Sequence, residues 1–177
     1  MEIGTKSYSG VAKLFHWLTA LCVITAIVLG FAMVGASPGP GQNKLYDLHR
    51  SFGALILLLT GLRLLWRLYA PPPPTVAGMP AWQEKAALYM HRLLYLMLFA
   101  MPLLGWAGTS AFPATIMVFG LFTLPALVTP DRELSELLLG IHWRLAFVLC
   151  AMIVGHAVAA LYHHFMLKDE TLKRMLP

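Results

Sequence analysis

Charge is what this sequence has least of. Only 12% of its 177 residues are Asp, Glu, Lys or Arg, while 59% are hydrophobic; a soluble domain carries about 25% charged residues. That balance excludes an ordinary soluble domain in favour of a polytopic membrane protein. Acid is scarcer still, with eight Asp and Glu against thirteen Lys and Arg for a net charge of +5. The basic surplus flanks the apolar segments, so it reads as topology and lipid headgroup contact, with no nucleic-acid role. Cysteine is down to two, Cys22 and Cys150, both inside apolar segments and read as small packed hydrophobes. No Cys-x-x-Cys-His occurs, which excludes covalently attached c-type haem.

What is present is hydrocarbon-length helix. Four segments, about 14–36, 48–69, 87–108 and 137–166, meet or approach the roughly 20 residues a bilayer core requires. The first lacks a small-residue cleavage site and reads as a retained helix. A fifth apolar run, 111–130, contains Pro113, Pro125 and Pro130 with Gly120 between them, and proline inside a helix costs about 3 kcal/mol or more. With four spans and a cytoplasmic N-terminus, nine basic residues fall inside and four outside, as the positive-inside rule demands. A fifth span would carry the basic tail across. The expectation is an all-α bundle of four transmembrane helices with both termini cytoplasmic, residues 1–177 forming a single membrane-embedded domain, and 111–130 lying along the outer surface.

The connections are short. "GASPGPGQNK" links the first two helices, and its Gly and Pro residues oppose helix continuation. "APPPPTVAGMPAWQEK" links the next two, its proline run favouring an extended conformation. Asp131 or Ser135 is the expected cap of the fourth helix.

Topology sorts the seven histidines. His142 and His156 stand fourteen residues apart in "HWRLAFVLCAMIVGH"; on a helix they come within roughly 40° of one face and rise roughly 21 Å. An imidazole in hydrocarbon is costly, and by default a functional residue. His16, near the inner end of the first helix, shares a level with His156. His49, at the start of the second, shares the other with His142. Two opposed imidazoles at each of two depths suit the iron of a b-type haem, whereas a zinc or copper site wants three or four converging ligands, which the inner level reaches only if His91 joins it.

Neighbouring residues fit the same reading. Gly30 is fourteen residues beyond His16, placed for close approach of a porphyrin to the backbone, and Gly53 and Gly155 stand beside the other ligands. Arg63 is fourteen residues beyond His49; it reads either as a partner for an inner haem propionate or as a snorkelling interfacial residue. Arg50 and Arg144 are outer counterparts on weaker grounds. His163, two turns past His156, is a candidate donor to a quinone carbonyl, with His91 next; the alternative is an interfacial histidine. Trp17, Trp66, Trp82 and Trp143 read as belt residues.

Here the residues resemble a known family. "LFHWLTA", "LHRSFGALILLLTGLRLLWRL", "VFGLFTLP" and "IHWRLAFVLCAMIVGHAVAALYHHFMLKDETLKRMLP" are similar to the bacterial cytochrome b561 family over nearly the whole chain. The resemblance implies an inner-membrane protein with two b haems and ubiquinone as electron acceptor, and, in at least one member, superoxide as donor. It implies His16, His49, His142 and His156 as haem iron ligands and His163 as a histidine near quinone.

Three functions compete. One is a stand-alone oxidoreductase passing electrons from an outer donor such as superoxide to ubiquinone. The second is a membrane-anchor cytochrome serving a separate redox protein partner, a dehydrogenase or hydrogenase; such subunits tend to carry docking segments that this chain is short of. The third, a haem-free transporter, ranks last because no broken helix or midplane polar cluster is evident.

Overall fold

A computed structural model describes residues 7–177. Helix α1 spans Gly10–Gly35, α2 Pro40–Tyr69, α3 Ala81–Ala111 and α4 Arg132–Tyr162, with strands β1 (Ile116–Val118) and β2 (Phe122–Leu124) between the last two helices. All four helices are long and apolar enough to cross a membrane, so the four-helix expectation holds. Apolar side chains such as Leu14, Leu21, Ile24 and Val28 face outward, where lipid is their solvent.

The helices exceed their apolar stretches. Much of "GASPGPGQNK" is already α2, because Pro40 occupies a first helical position, where its missing N–H is an orphan in any case. Gln42 Nε2 donates to the Met33 and Ala36 carbonyls at 2.9 and 3.2 Å, closing the end of α1. His49 consequently lies well inside α2 rather than at its start. Asp131 caps α4 by accepting from the Leu134 N–H at 3.0 Å. Ser135 does not cap; its hydroxyl donates to the Gly108 carbonyl at 2.9 Å.

Packing follows two seams. Cys22, Val23 and Ala26 of α1 are buried against Ile56 and Leu59 of α2, which confirms the packed reading of Cys22. Met97 and Met101 of α3 are buried against Leu149 of α4. A Cβ on Gly108 would come 2.8 Å from Leu139 Cγ, so glycine sets the close approach of α3 and α4. At backbone distance α4 scarcely touches α1 or α2. The bundle is two helical hairpins held apart along one seam.

The 111–130 run does not span. β1 and β2 pair antiparallel, with Ile116 opposite Leu124, around Phe119 and Gly120 at φ 49° and 73°. Ser51 of α2 fastens this hairpin, accepting from the Phe119 N–H at 2.9 Å, and Trp106 Nε1 donates to the Pro125 carbonyl at 2.8 Å. The hairpin roofs the end of the bundle opposite the chain termini, a compact device where sequence suggested only a surface-lying segment. At the other end the tail folds back. Trp17 Nε1 donates to the Met175 carbonyl at 2.8 Å, Arg174 Nη1 to the Pro74 carbonyl at 2.7 Å, and the Tyr8 N–H to the Arg174 carbonyl at 3.3 Å.

Candidate functional site

The open seam holds the histidines. His49 of α2 faces His142 of α4 with ring centres 6.0 Å apart, and His16 of α1 faces His156 of α4 at 6.3 Å. Two metal–imidazole bonds of about 2.0 Å, each ring centre about 1.15 Å behind its nitrogen, put opposed rings about 6.3 Å apart. Both pairs therefore stand at the separation at which two imidazoles would hold one iron between them. Ring planes cross at 82° and 86°, angles that ligation of one metal by two imidazoles would not forbid.

The His49–His142 pair, at the hairpin end of the bundle, is the more fully built. His49 Nδ1 lies 2.8 Å from the Ala26 carbonyl and His142 Nδ1 lies 3.0 Å from the Met101 carbonyl. A carbonyl only accepts, so each Nδ1 carries the proton and each Nε2 keeps a lone pair for metal; this second bond fixes tautomer and ring orientation together. Glycine makes room for both rings. A Cβ on Gly30 would come 3.2 Å from His49 Cε1, and one on Gly105 would come 3.3 Å from His142 Cε1. Gly30 thus admits the imidazole itself, a nearer neighbour than the porphyrin that sequence suggested. Gly105 has the same part on α3 and went unread, since nothing in "LLGWAG" announces a histidine across the bundle.

Two largely apolar slots border this pair. One, of about 720 Å³, is lined by Gly30, Phe31, Gly53, Leu98 and Trp143 among others. The second, of about 680 Å³, is reached by Arg50, Tyr46, Gly105 and the roof residues Ile116 and Leu124. Gly53 and Pro102 border both. A flat macrocycle crossing the His49–His142 axis would extend into these slots. Arg144 is exposed and borders neither.

The His16–His156 level, at the end where the tail folds back, holds a third imidazole. His91 of α3 lies 5.3 Å from His156, about an ångström short of an iron-bridged separation, so His16 and not His91 is the ring placed opposite His156. His16 Nδ1 is buried without a hydrogen-bond partner among the described residues. No three His, Cys, Asp or Glu among the described residues converge on one ion position. Arg63 is close enough for its charge to act on both His16 and His156. Its guanidinium sits 5.4 Å from the centre of the Tyr95 ring, with Arg67 5.9 Å from the same ring. Both arginines line a 340 Å³ pocket with Tyr8, Trp66 and Met175, and neither has a carboxylate partner among the described residues. A half-buried guanidinium without a carboxylate partner suits an anion. His163 stands apart from these pairs, its Nδ1 2.6 Å from Asp169 Oδ2.

The sequence model of the prokaryotic cytochrome b561 family matches residues 7–177. The chain belongs to that family. Cytochrome b561 homolog 2 of Escherichia coli (strain K12) is 36% identical over 97% of this chain and 92% of its own length. A probable superoxide oxidase CybB of Yersinia pestis is 34% identical over 97% of both chains. Cytochrome b562 of Cereibacter sphaeroides is 28% identical over 96% of this chain and 94% of its own. The family is one of membrane cytochromes that bind haem b, so this cytochrome b561 is a multi-pass bacterial membrane oxidoreductase.

Proposed function

We propose that this cytochrome b561 binds two b haems, one per histidine pair, in the bacterial inner membrane, and transfers electrons from an outer donor, superoxide first among them, to ubiquinone. The observation that carries the reading is the pair of imidazole separations, 6.0 and 6.3 Å, at two depths of one bundle. Haem, when bound, supplies one-electron chemistry at each depth. The protein's own groups do the rest. His49 and His142 bind the outer iron through Nε2 while the Ala26 and Met101 carbonyls hold the rings in place; His16 and His156 bind the inner one. Arg63, with Arg67, neutralises propionate at the inner level. The apolar slots exclude water, and the basic tail and inner loop place both termini in the cytoplasm. His163 serves the quinone on that side. Resemblance to the probable superoxide oxidase of Yersinia pestis supports the donor.

The test uses purified protein in lipid nanodiscs. A pyridine haemochrome assay is expected to give a haem to protein ratio near two, and enzymatically generated superoxide is expected to drive reduction of a short-chain ubiquinone. A ratio near one would overturn the two-level assignment. Absence of that turnover, with a hydrophilic oxidoreductase co-purifying, would favour the membrane-anchor subunit instead.

The glycines offer a narrower check. Valine at Gly105 or Gly30 places methyl groups where an imidazole now lies, and interiors packed this closely do not yield without displacement. Gly105→Val is expected to lower the haem ratio toward one while the spectrum of the inner haem stays unchanged. Equal loss of both haems would show that the glycine serves folding in general.

A further inference from the structure

The end of α4 carries an arrangement that haem ligation does not use. After Tyr162 the helix widens into a π turn, His163–Leu167, closed by Lys168 in the left-handed region at φ 53°. π turns are rare and gather at functional sites, and a non-glycine residue at positive φ is uncommon. Together they reverse the chain, so that Asp169 returns to the residue where the turn began. The Asp169 N–H donates to the His163 carbonyl at 3.1 Å, and His163 Nδ1 donates to Asp169 Oδ2 at 2.6 Å.

The other carboxylate oxygen is also committed, Oδ1 accepting from the Thr171 N–H at 2.8 Å. Burial alone would raise the Asp169 carboxyl; hydrogen bonds from His163 and Thr171 outweigh it and hold the group below its ordinary range, hence ionised. The side chains are 14% and 20% exposed, so the contact is sheltered from competing water. A carboxylate only accepts, so the ring proton resides on Nδ1. Nε2 is left with no hydrogen-bond partner among the described residues.

We propose that Asp169 is the positioning residue of the proton donor for quinone reduction: it keeps His163 protonated on Nδ1, so that Nε2 alone takes a proton from water and passes it to a quinone oxygen. This rests on the ubiquinone reading above. A quinone becomes a quinol by gaining two electrons and two protons. The electrons come singly from the reduced haems. Each proton leaves the Nε2–H bond of the imidazolium as an O–H bond forms on the quinone. What remains is neutral His163, still donating from Nδ1 to Asp169, and water on the tail side reprotonates Nε2 before the second transfer. The fixed carboxylate holds the ring and its tautomer through the cycle, the usual way a histidine is oriented for proton transfer.

Asp169→Asn is the diagnostic change. With its oxygen kept on the Thr171 N–H, the Asn amide must turn NH₂ toward Nδ1, which forces the ring proton to Nε2. In ¹⁵N-histidine protein held in the reduced, diamagnetic state, the signal lost in His163→Gln identifies residue 163. Wild type is expected to show protonated Nδ1 and bare Nε2, and Asp169→Asn the reverse. Haem reoxidation by decylubiquinone, followed after reduction of the protein, is expected to slow about tenfold or more at saturating quinone. Half-saturation and haem spectra should be unchanged, and Asp169→Glu should recover part of the rate. An unreversed tautomer, or a reversed tautomer with an unaltered rate, overturns the role of Asp169 and leaves the ubiquinone reading standing. If decylubiquinone fails to reoxidise the wild-type haems, the ubiquinone reading itself falls, and this proposal with it.

Discussion

Replacing His156 with alanine is expected to cost the protein one haem of two and to leave the other spectrally intact. His156 stands opposite His16 at 6.3 Å and has no part in the outer pair. About 21 Å of helix separates it from His142, so a cavity at residue 156 does not disturb the carbonyl bonds that hold His49 and His142. His16→Ala is expected to give the same product. His91→Ala separates the geometric argument from a mere count of histidines. At 5.3 Å from His156 the His91 ring sits beside the ligand rather than across an iron, so two haems should remain. The measurement is the haemochrome ratio together with low-temperature α-band spectra of each variant. Loss of a haem in His91→Ala with retention in His16→Ala would exchange the two residues' places.

Much of this was legible without coordinates, because hydropathy and a fourteen-residue spacing are properties of the chain alone. An apolar helix has no choice of period, so His142 and His156 had to share a face. The alternating direction of four helices then put His16 level with His156 and His49 level with His142, as the ring pairs show. What escaped was whatever depends on tertiary approach. Gly105 is one of fourteen glycines, and only the packing of α3 on α4 gives it an imidazole to admit. The Ala26 and Met101 carbonyls belong to residues with no polar side chain, so no pattern of side chains could nominate them. The roof hairpin depends on Phe119 and Gly120 at positive φ and on Ser51, a residue that reads as filler within α2. The His163–Asp169 contact lay in plain view as "HHFMLKD", but six residues is the wrong spacing for one helical face, and a π turn was needed to close it.

Replacing His142 with alanine is expected to separate the two halves of the reaction. The outer pair lies beneath the hairpin roof, next to a slot bordered by Arg50 and Tyr46. The inner pair lies near Arg63, toward the end of the bundle where the tail and His163 are. If the donor is oxidised at the outer level and the quinone is reduced at the inner one, His142→Ala abolishes superoxide-driven quinone reduction. It retains one haem, which a reduced short-chain quinol still reduces. His156→Ala should show the opposite behaviour: superoxide reduces the haem that remains, and added ubiquinone does not reoxidise it. The two variants thus carry equal haem and fail at opposite ends, an outcome that general destabilisation would not produce. The measurement is stopped-flow spectroscopy of each variant with superoxide, with quinol and with quinone. Sustained superoxide-driven turnover in His142→Ala would place donor entry at the inner level and reverse the assignment, because the remaining histidine pair lies about 21 Å along the bundle from the one removed.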